Sequence, residues 1–91
     1  MDNLKSDFSE IYDQFVNRIY RFIFLKVSSR EIAEDLTSDT FLRCWNVYKN
    51  DPEGIENNQA FLYKVARNLV VDHYRAKSRA KIVPIDDYPI V

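Results

Sequence analysis

The chain has 91 residues, of which 46% are hydrophobic and 30% are charged. This size fits one small domain and excludes a multidomain enzyme. The formal net charge is -1, so the chain as a whole lacks the basic excess that is typical of a nucleic-acid-binding protein. A single cysteine, Cys44, and a single histidine, His73, exclude an internal disulfide and a Cys/His metal cluster.

The composition also constrains the compartment and the fold class. No apolar run is long enough to span a membrane, and the first residues lack a signal-peptide pattern. We therefore expect a soluble, cytoplasmic protein. Six Phe, six Tyr and one Trp, against one Gly and three Pro, supply bulky core material and few turns. The sequence predicts an all-α fold, a compact bundle of three long helices with a possible short extra helix.

The first predicted helix covers residues 8–27. Asp7 is its predicted N-cap, with Glu10 three residues later as in a capping box. Apolar side chains recur there at helical spacing, at Phe8, Ile11, Tyr12, Phe15, Ile19, Phe22 and Ile23.

The second predicted helix begins with Ser28 as N-cap and Glu31 three residues later, and runs to about Asn50. Its predicted inward stripe consists of Ala33, Leu36, Thr40, Cys44 and Val47. The opposite side combines three carboxylates with a hydroxyl, and consists of Glu34, Asp35, Ser38 and Asp39, followed by Arg43 and Asn46. This pattern predicts an acidic exposed strip.

A loop over residues 50–58, which contains the only glycine, separates the second helix from the third. Asn57 or Asn58 is the predicted N-cap of a helix from Gln59 to about Ser78. Its inward stripe is Leu62, Val65, Ala66, Leu69 and His73, and its outward side is Lys64, Arg67, Asn68, Val71, Asp72 and Arg75. The tail over residues 82–91, with two prolines, is predicted to be an extended linker.

Charge is distributed unevenly along the chain. Residues 1–63 carry seven basic and eleven acidic side chains, whereas residues 64–81 carry six basic and one acidic. A basic helix of this kind suits phosphate contact, but cations also complement the negative end of any helix dipole. The aromatic side chains of Trp45 and Phe61 likewise have two interpretations, base stacking or ordinary core packing.

Catalysis has little support in the sequence. A Ser, His and carboxylate triad would need His73, which lies on the apolar stripe of the third helix. The carboxylates of Glu34, Asp35 and Asp39 share one helix face without a His partner for a metal. We therefore expect a binding module that is not an enzyme and that uses no cofactor or metal.

Two motifs resemble a known family. Residues 33–45, AEDLTSDTFLRCW, are similar to the signature helix of extracytoplasmic-function (ECF) sigma factors, and residues 61–72, FLYKVARNLVVD, are similar to their promoter-reading helix. Ile11, Tyr12 and residues 18–21 extend the resemblance, which covers roughly residues 8–79. It implies a sigma region 2 domain, an all-helical unit that binds core RNA polymerase and that recognises and helps melt the minus-ten promoter element.

The resemblance also implies roles for particular residues. The residues implied to contact the clamp coiled coil of the largest polymerase subunit are Glu34, Asp35, Ser38, Asp39, Leu42 and Arg43. The residues implied to capture an unstacked base and to contact the non-template strand are Ile55, Asn57, Asn58, Lys64, Arg67, Asn68, Val71, Asp72 and Arg75. An anti-sigma factor is a further implied partner, whereas no membrane and no small-molecule substrate is implied.

The sequence departs from the family pattern in three places. Phe61 stands where many relatives have Trp, and the loop over residues 51–58 is acidic and lacks the Arg-Gly of many relatives. We also expect no counterpart of the usual second, upstream-element-binding domain within these 91 residues, whether they are a fragment or a shortened protein. We expect residues 1–81 to form the region 2 domain and residues 82–91 to begin an interdomain linker.

Two other functions are consistent with the same residues. One is a helical protein-interaction domain that binds an anti-sigma factor or polymerase without useful promoter recognition. In that case Asp35→Arg would abolish activity and Asn68→Ala would leave it intact. The other is a free-standing DNA-binding regulator, which would bind duplex DNA in a salt-dependent manner without polymerase.

Overall fold

The computed structural model describes residues 3–82, which form three long α-helices and one short 3-10 turn. Helix α1 covers Leu4–Val27, α2 covers Arg30–Asn50 and α3 covers Asn58–Ile82, with the 3-10 turn at Pro52–Gly54. No strand occurs in this range, so the predicted all-α bundle with a short extra helix is confirmed. Of the predicted linker, Ile82 belongs to α3 and residues 83–91 lie outside the described range.

Helix α1 begins one turn earlier than predicted. Asn3 precedes its first residue, and the backbone N–H of Asp7 donates to the Asn3 carbonyl over 2.8 Å. The predicted N-cap at Asp7 is therefore wrong, and its carboxylate lies in the first turn, near the positive end of the helix dipole. The half-buried side chain of Leu4 extends the apolar pattern one turn upstream of Phe8, which explains the earlier start.

Two adjacent serines form the junction between α1 and α2, one ending the first helix and the other capping the second. Ser28 ends α1 in the left-handed conformation, with φ 54°, and its N–H donates to the Phe24 carbonyl over 2.8 Å. Ser29 is extended and begins α2, because its Oγ accepts a hydrogen bond from the Ile32 N–H at 3.3 Å. The predicted N-cap at Ser28 is therefore wrong by one residue, because that position is used to reverse the chain.

The three helices share one core. It consists of Phe15, Ile19 and Ile23 from α1, Ala33, Phe41 and Cys44 from α2, and Leu62, Ala66 and Val70 from α3. Burial raises the pKa of the Cys44 thiol to about 12.

Two of the predicted inward stripes need correction. On α2, Val47 is 44% exposed, while Thr37, Phe41 and Tyr48 are buried. The reason is aromatic packing, because the ring centroids of Phe41 and Tyr48 lie 6.4 Å and 5.4 Å from that of Phe8. These large rings turn the buried face of α2 away from Val47. On α3, Val70 is also buried and His73 is only half-buried.

Two buried threonines satisfy their own hydroxyl groups within α2. Thr37 Oγ1 donates to the Ala33 carbonyl over 2.6 Å, and Thr40 Oγ1 donates to the Leu36 carbonyl over 2.7 Å. A buried hydroxyl without a partner is costly. These bonds therefore allow small polar residues to pack on the buried face of α2.

The connection from α2 to α3 is held by local contacts. The Gly54 N–H donates to the Asp51 carbonyl over 3.0 Å, and a side chain at Gly54 would displace the Asp51 carboxylate. Asn57 Oδ1 accepts a hydrogen bond from the Ala60 N–H over 2.9 Å. Of the two asparagines predicted as N-cap, Asn57 therefore fills the role and Asn58 is the first residue of α3.

Candidate functional site

The predicted polymerase-binding residues form one continuous surface on α2, which we call the acidic strip: Glu34, Asp35, Ser38, Asp39, Leu42 and Arg43. Asp39 is half-buried and the other five are exposed. Steps of four place them in two parallel rows, residues 34, 38 and 42 beside residues 35, 39 and 43. The strip combines three carboxylates with Leu42, which is 57% exposed, so it offers both charge and an apolar contact.

A groove between α1 and α2 adjoins the acidic strip, and the sequence alone did not predict it. It has a volume of about 420 Å³ and is lined by Tyr12, Val16, Asn17, Tyr20, Arg30, Glu34, Thr37 and Ser38. Glu34 and Ser38 belong to both the groove and the strip. A hint of this groove in the sequence is Tyr12, a large ring on the predicted apolar stripe of α1. In the folded protein Tyr12 is 43% exposed and lines the groove. The groove extends the candidate surface from α2 onto α1.

The predicted DNA-binding residues of α3 lie along its exposed side. Lys64, Arg67, Asn68, Val71, Asp72 and Arg75 are all exposed, and we call this set the basic face. Val71 is 41% exposed, which matches its placement outside the core. Lys77 and Arg79 continue the positive charge toward the end of α3. The face therefore presents a row of cations with one amide and one carboxylate between them.

A cleft lies where the α2–α3 loop meets the first turn of α3, and we call it the loop cleft. Its volume is about 420 Å³, and its lining is Val47, Gly54, Ile55, Glu56, Asn57, Ala60, Phe61 and Lys64. It brings together three of the predicted DNA-binding residues, Ile55, Asn57 and Lys64. Asn58 is half-buried and does not line it. Arg67, Asn68, Val71, Asp72 and Arg75 lie farther along α3.

Several lining residues of the loop cleft were not predicted as site residues. Val47 was assigned to the core, yet its exposed side chain forms part of the wall. Glu56 adds a carboxylate to the lining that also contains Lys64. No sequence signal distinguished these residues, because their proximity depends on how the loop returns to α3.

The structure places the aromatic side chains that could either stack on bases or pack in the core, and also the single histidine. Trp45 is half-buried, with its ring centroid 5.4 Å from that of Phe8. Phe61 is half-buried against the core and also lines the loop cleft. His73 is half-buried and makes an edge contact with Tyr74 at 5.2 Å. Among residues 3–82, no cluster of His, Cys, Asp and Glu suits a metal ion.

Comparison with known proteins assigns the family. The sigma-70 region 2 family matches residues 11–80, a range that includes the acidic strip, the loop cleft and the basic face. The chain belongs to this family. Its similarity to ECF RNA polymerase sigma factors identifies it as a region 2 domain of the ECF type. No solved structure matches the chain significantly, and none of its described helices is long and apolar enough to cross a membrane.

The individual relatives are longer than this chain. ECF RNA polymerase sigma factor BldN of Streptomyces coelicolor is 39% identical over 69 residues, covering 76% of this chain and 26% of that protein. ECF RNA polymerase sigma factor SigM of Bacillus subtilis is 32% identical over 79 residues, covering 86% of this chain and 46% of that protein. The chain therefore spans less than half the length of these two relatives.

Proposed function

We propose that this domain acts in transcription initiation, binding core RNA polymerase through the acidic strip and single-stranded minus-ten promoter DNA through the loop cleft and the basic face. The observation that carries the proposal is the separation of charge. The carboxylates of α2 and the cations of α3 are exposed on two helices that pack on one core. Each face can therefore engage a different partner at the same time.

The acidic strip has the properties of a protein-docking surface. Complementary charge on a partner would steer its approach, and the exposed Leu42 would be buried on contact. The neighbouring groove can accept a side chain from the partner. These features support the clamp coiled coil of the largest polymerase subunit as the partner. An anti-sigma factor that occupies the same strip would compete with polymerase.

The basic face and the loop cleft have the properties of a surface for an opened strand. Lys64, Arg67 and Arg75 can neutralise phosphates along α3. The cleft at the start of α3 is of a size that suits a small ligand, and an unstacked base can enter it only after the duplex opens. We therefore assign minus-ten recognition to this side of the molecule.

The proposed activity requires no chemistry from the protein itself. The domain is a binding module and not an enzyme, and it acts in the cytoplasm where core polymerase works. Its proposed extent is residues 1–81, with residues 82–91 as the start of a linker. The domain would add promoter specificity to a polymerase that supplies the catalysis.

Calorimetric titration of the chain into the purified clamp coiled coil tests the docking half of the proposal. We expect binding by the wild type and a loss of about 100-fold or more for Asp35→Arg, because the change places a cation against a basic partner. Asp13→Arg, at an exposed position of α1 outside the strip, is the matched control and should bind as the wild type does. Equal binding by both variants would contradict the docking assignment.

A second titration tests the DNA half. The complex of the chain with core polymerase should bind a minus-ten non-template strand, and Asn68→Ala should weaken that binding while leaving clamp binding unchanged. Clamp binding without any strand binding would favour the protein-interaction alternative. Tight binding of the free chain to ordinary duplex would instead favour the free-standing regulator.

A further inference from the structure

A second groove, separate from the loop cleft, lies between α1 and α3. It has a volume of about 280 Å³ and is lined by Phe22, Ala60, Tyr63, Lys64 and Arg67. We call it the aromatic groove, because Phe22 and Tyr63 form part of its wall with ring centroids 5.1 Å apart in an edge-to-face arrangement. Neither ring is among the predicted site residues.

The aromatic groove adjoins the loop cleft. Ala60 and Lys64, one helical turn apart, line both cavities. A polymer that enters the loop cleft can therefore continue past Lys64 into the aromatic groove. The two cavities are therefore neighbours on the surface of α3.

The charge at the aromatic groove is positive. Lys64 and Arg67 contribute from α3, and Lys26 contributes from α1, with its Nζ 4.9 Å from the centroid of the Phe22 ring. The backbone at Lys26 is tied to α3, because the Tyr74 hydroxyl donates a hydrogen bond to the Lys26 carbonyl. Three exposed cations from two helices therefore lie at or beside a groove with two half-buried aromatic rings.

This combination is typical of a site for single-stranded nucleic acid. Aromatic rings bind unstacked bases of any sequence, while neighbouring cations neutralise the phosphates. The bases of a duplex are already stacked, so the aromatic wall favours an opened strand. A volume of about 280 Å³ is at the small end for ligand pockets, and it suits one base better than a larger ligand.

We propose that the aromatic groove binds the nucleotide next to the one held in the loop cleft, with its base against Tyr63 and Phe22 and its phosphate near Lys26 and Arg67. This inference rests on the proposed function, since it assumes that the loop cleft holds an opened strand. It adds α1 to the DNA-binding surface, through Lys26 and Phe22. The contact would hold two successive bases apart from the duplex.

The test is a titration of the chain, bound to the clamp coiled coil, with a fluorescent pool of random single-stranded DNA about 12 nucleotides long, within the usual site size for such proteins. Lys26→Glu should weaken binding about tenfold, because it removes a phosphate contact and adds repulsion. Tyr63→Leu retains apolar bulk and should weaken binding about fivefold or more, because it removes a stacking surface. Thermal melting of each variant verifies that it is folded.

Lys5→Glu is the matched control. It makes the same charge change at an exposed position on the same helix, and the 21 intervening steps place it about 30 Å from Lys26 along the axis. It should bind the pool as the wild type does. Unchanged binding by both Lys26→Glu and Tyr63→Leu, with Arg75→Glu still weakened, would overturn the aromatic groove and leave the proposed function standing. If the wild-type complex binds no single strand, both proposals fail.

Discussion

Helices α2 and α3 bury similar apolar faces in the same core but present opposite surfaces to solvent. The charges of α2 are concentrated in two short rows over residues 34–43, with an exposed leucine among them. The charges of α3 are spread from Lys64 to Arg79, with cavities both beside its first turns and along residues 70–79. A short surface of mixed charge and apolar contact suits a protein partner, whereas a long row of cations suits a polymer of phosphates.

The comparison explains why the composition of this protein is uninformative about its partners. The net charge of -1 is a sum in which the charges of an acidic surface and a basic surface nearly cancel. Because the two surfaces lie on different helices, each is expected to respond separately to mutation and to salt.

The largest effect expected on DNA binding comes from the basic face. Arg67→Glu combined with Arg75→Glu should weaken binding of single-stranded DNA by the clamp-bound chain about 100-fold, because two phosphate contacts become repulsive. Replacing the same two arginines by alanine should reduce the slope of log affinity against log salt by about 1.4, since each phosphate contact contributes about 0.7 for single strands. Fluorescence anisotropy over a salt series measures both quantities.

The control for this experiment is Lys5→Glu combined with Lys49→Glu, at exposed positions of α1 and α2 outside the basic face. It makes the same change in net charge and should leave strand binding nearly unchanged. Clamp affinity should be similar in all these variants. If the control weakens strand binding as strongly, overall charge governs binding, and the contrast between the two helices has no functional meaning.

A smaller effect is expected at Asn57, where a structural role and a binding role coincide. Asn57→Ala should lower the free energy of unfolding by about 1 kcal/mol, because the Ala60 N–H loses its capping partner. Asn57→Ser retains a capping oxygen without adding a charge that would repel phosphates, and it should unfold nearly as the wild type does. Urea denaturation followed by circular dichroism measures the difference.

Strand binding by the same two variants separates the roles of Asn57. If its amide also contacts a base in the loop cleft, both variants should bind single-stranded DNA more weakly, although only Asn57→Ala is destabilised. Weaker binding by Asn57→Ala alone would limit Asn57 to capping. The start of α3 would then position the site without contacting DNA.

The sequence predicted the helices and their exposed faces well, because both follow from the spacing of apolar residues. All the residues of the acidic strip and of the basic face lie on exposed or half-exposed positions of the predicted helices. The errors are local choices between equivalent residues. Ser28 and Ser29 are chemically identical candidates for one cap, and the folded backbone distinguishes them, because Ser28 has a positive φ whereas Ser29 is extended and its Oγ accepts from the Ile32 N–H.

The features that escaped prediction depend on how the elements pack. Both the aromatic groove and the groove beside the acidic strip lie between two helices, and the loop cleft depends on the return of the chain to α3. Val47 illustrates the difficulty, since its spacing predicts burial but the rings of Phe41 and Tyr48 fill the core in its place. The spacing of residues within one helix contains no information about such contacts.

The smallest predicted effect tests the face of α2 opposite the acidic strip. Cys44 is only 2% exposed, and burial raises the pKa of its thiol from 9.0 to about 12. The unfolded chain therefore releases the thiol proton at lower pH than the folded protein, and stability falls as pH rises from about 9 toward 12. At pH 9 half of the unfolded thiol is ionised, so this group should lower the free energy of unfolding by about 0.4 kcal/mol relative to pH 7.

The measurement is the difference between wild type and Cys44→Ala in urea denaturation at the two pH values, since other titrating groups cancel in that comparison. A thiol that reacts rapidly with iodoacetamide in the folded protein at pH 8 would contradict its burial, and with it the orientation of α2 that exposes the acidic strip.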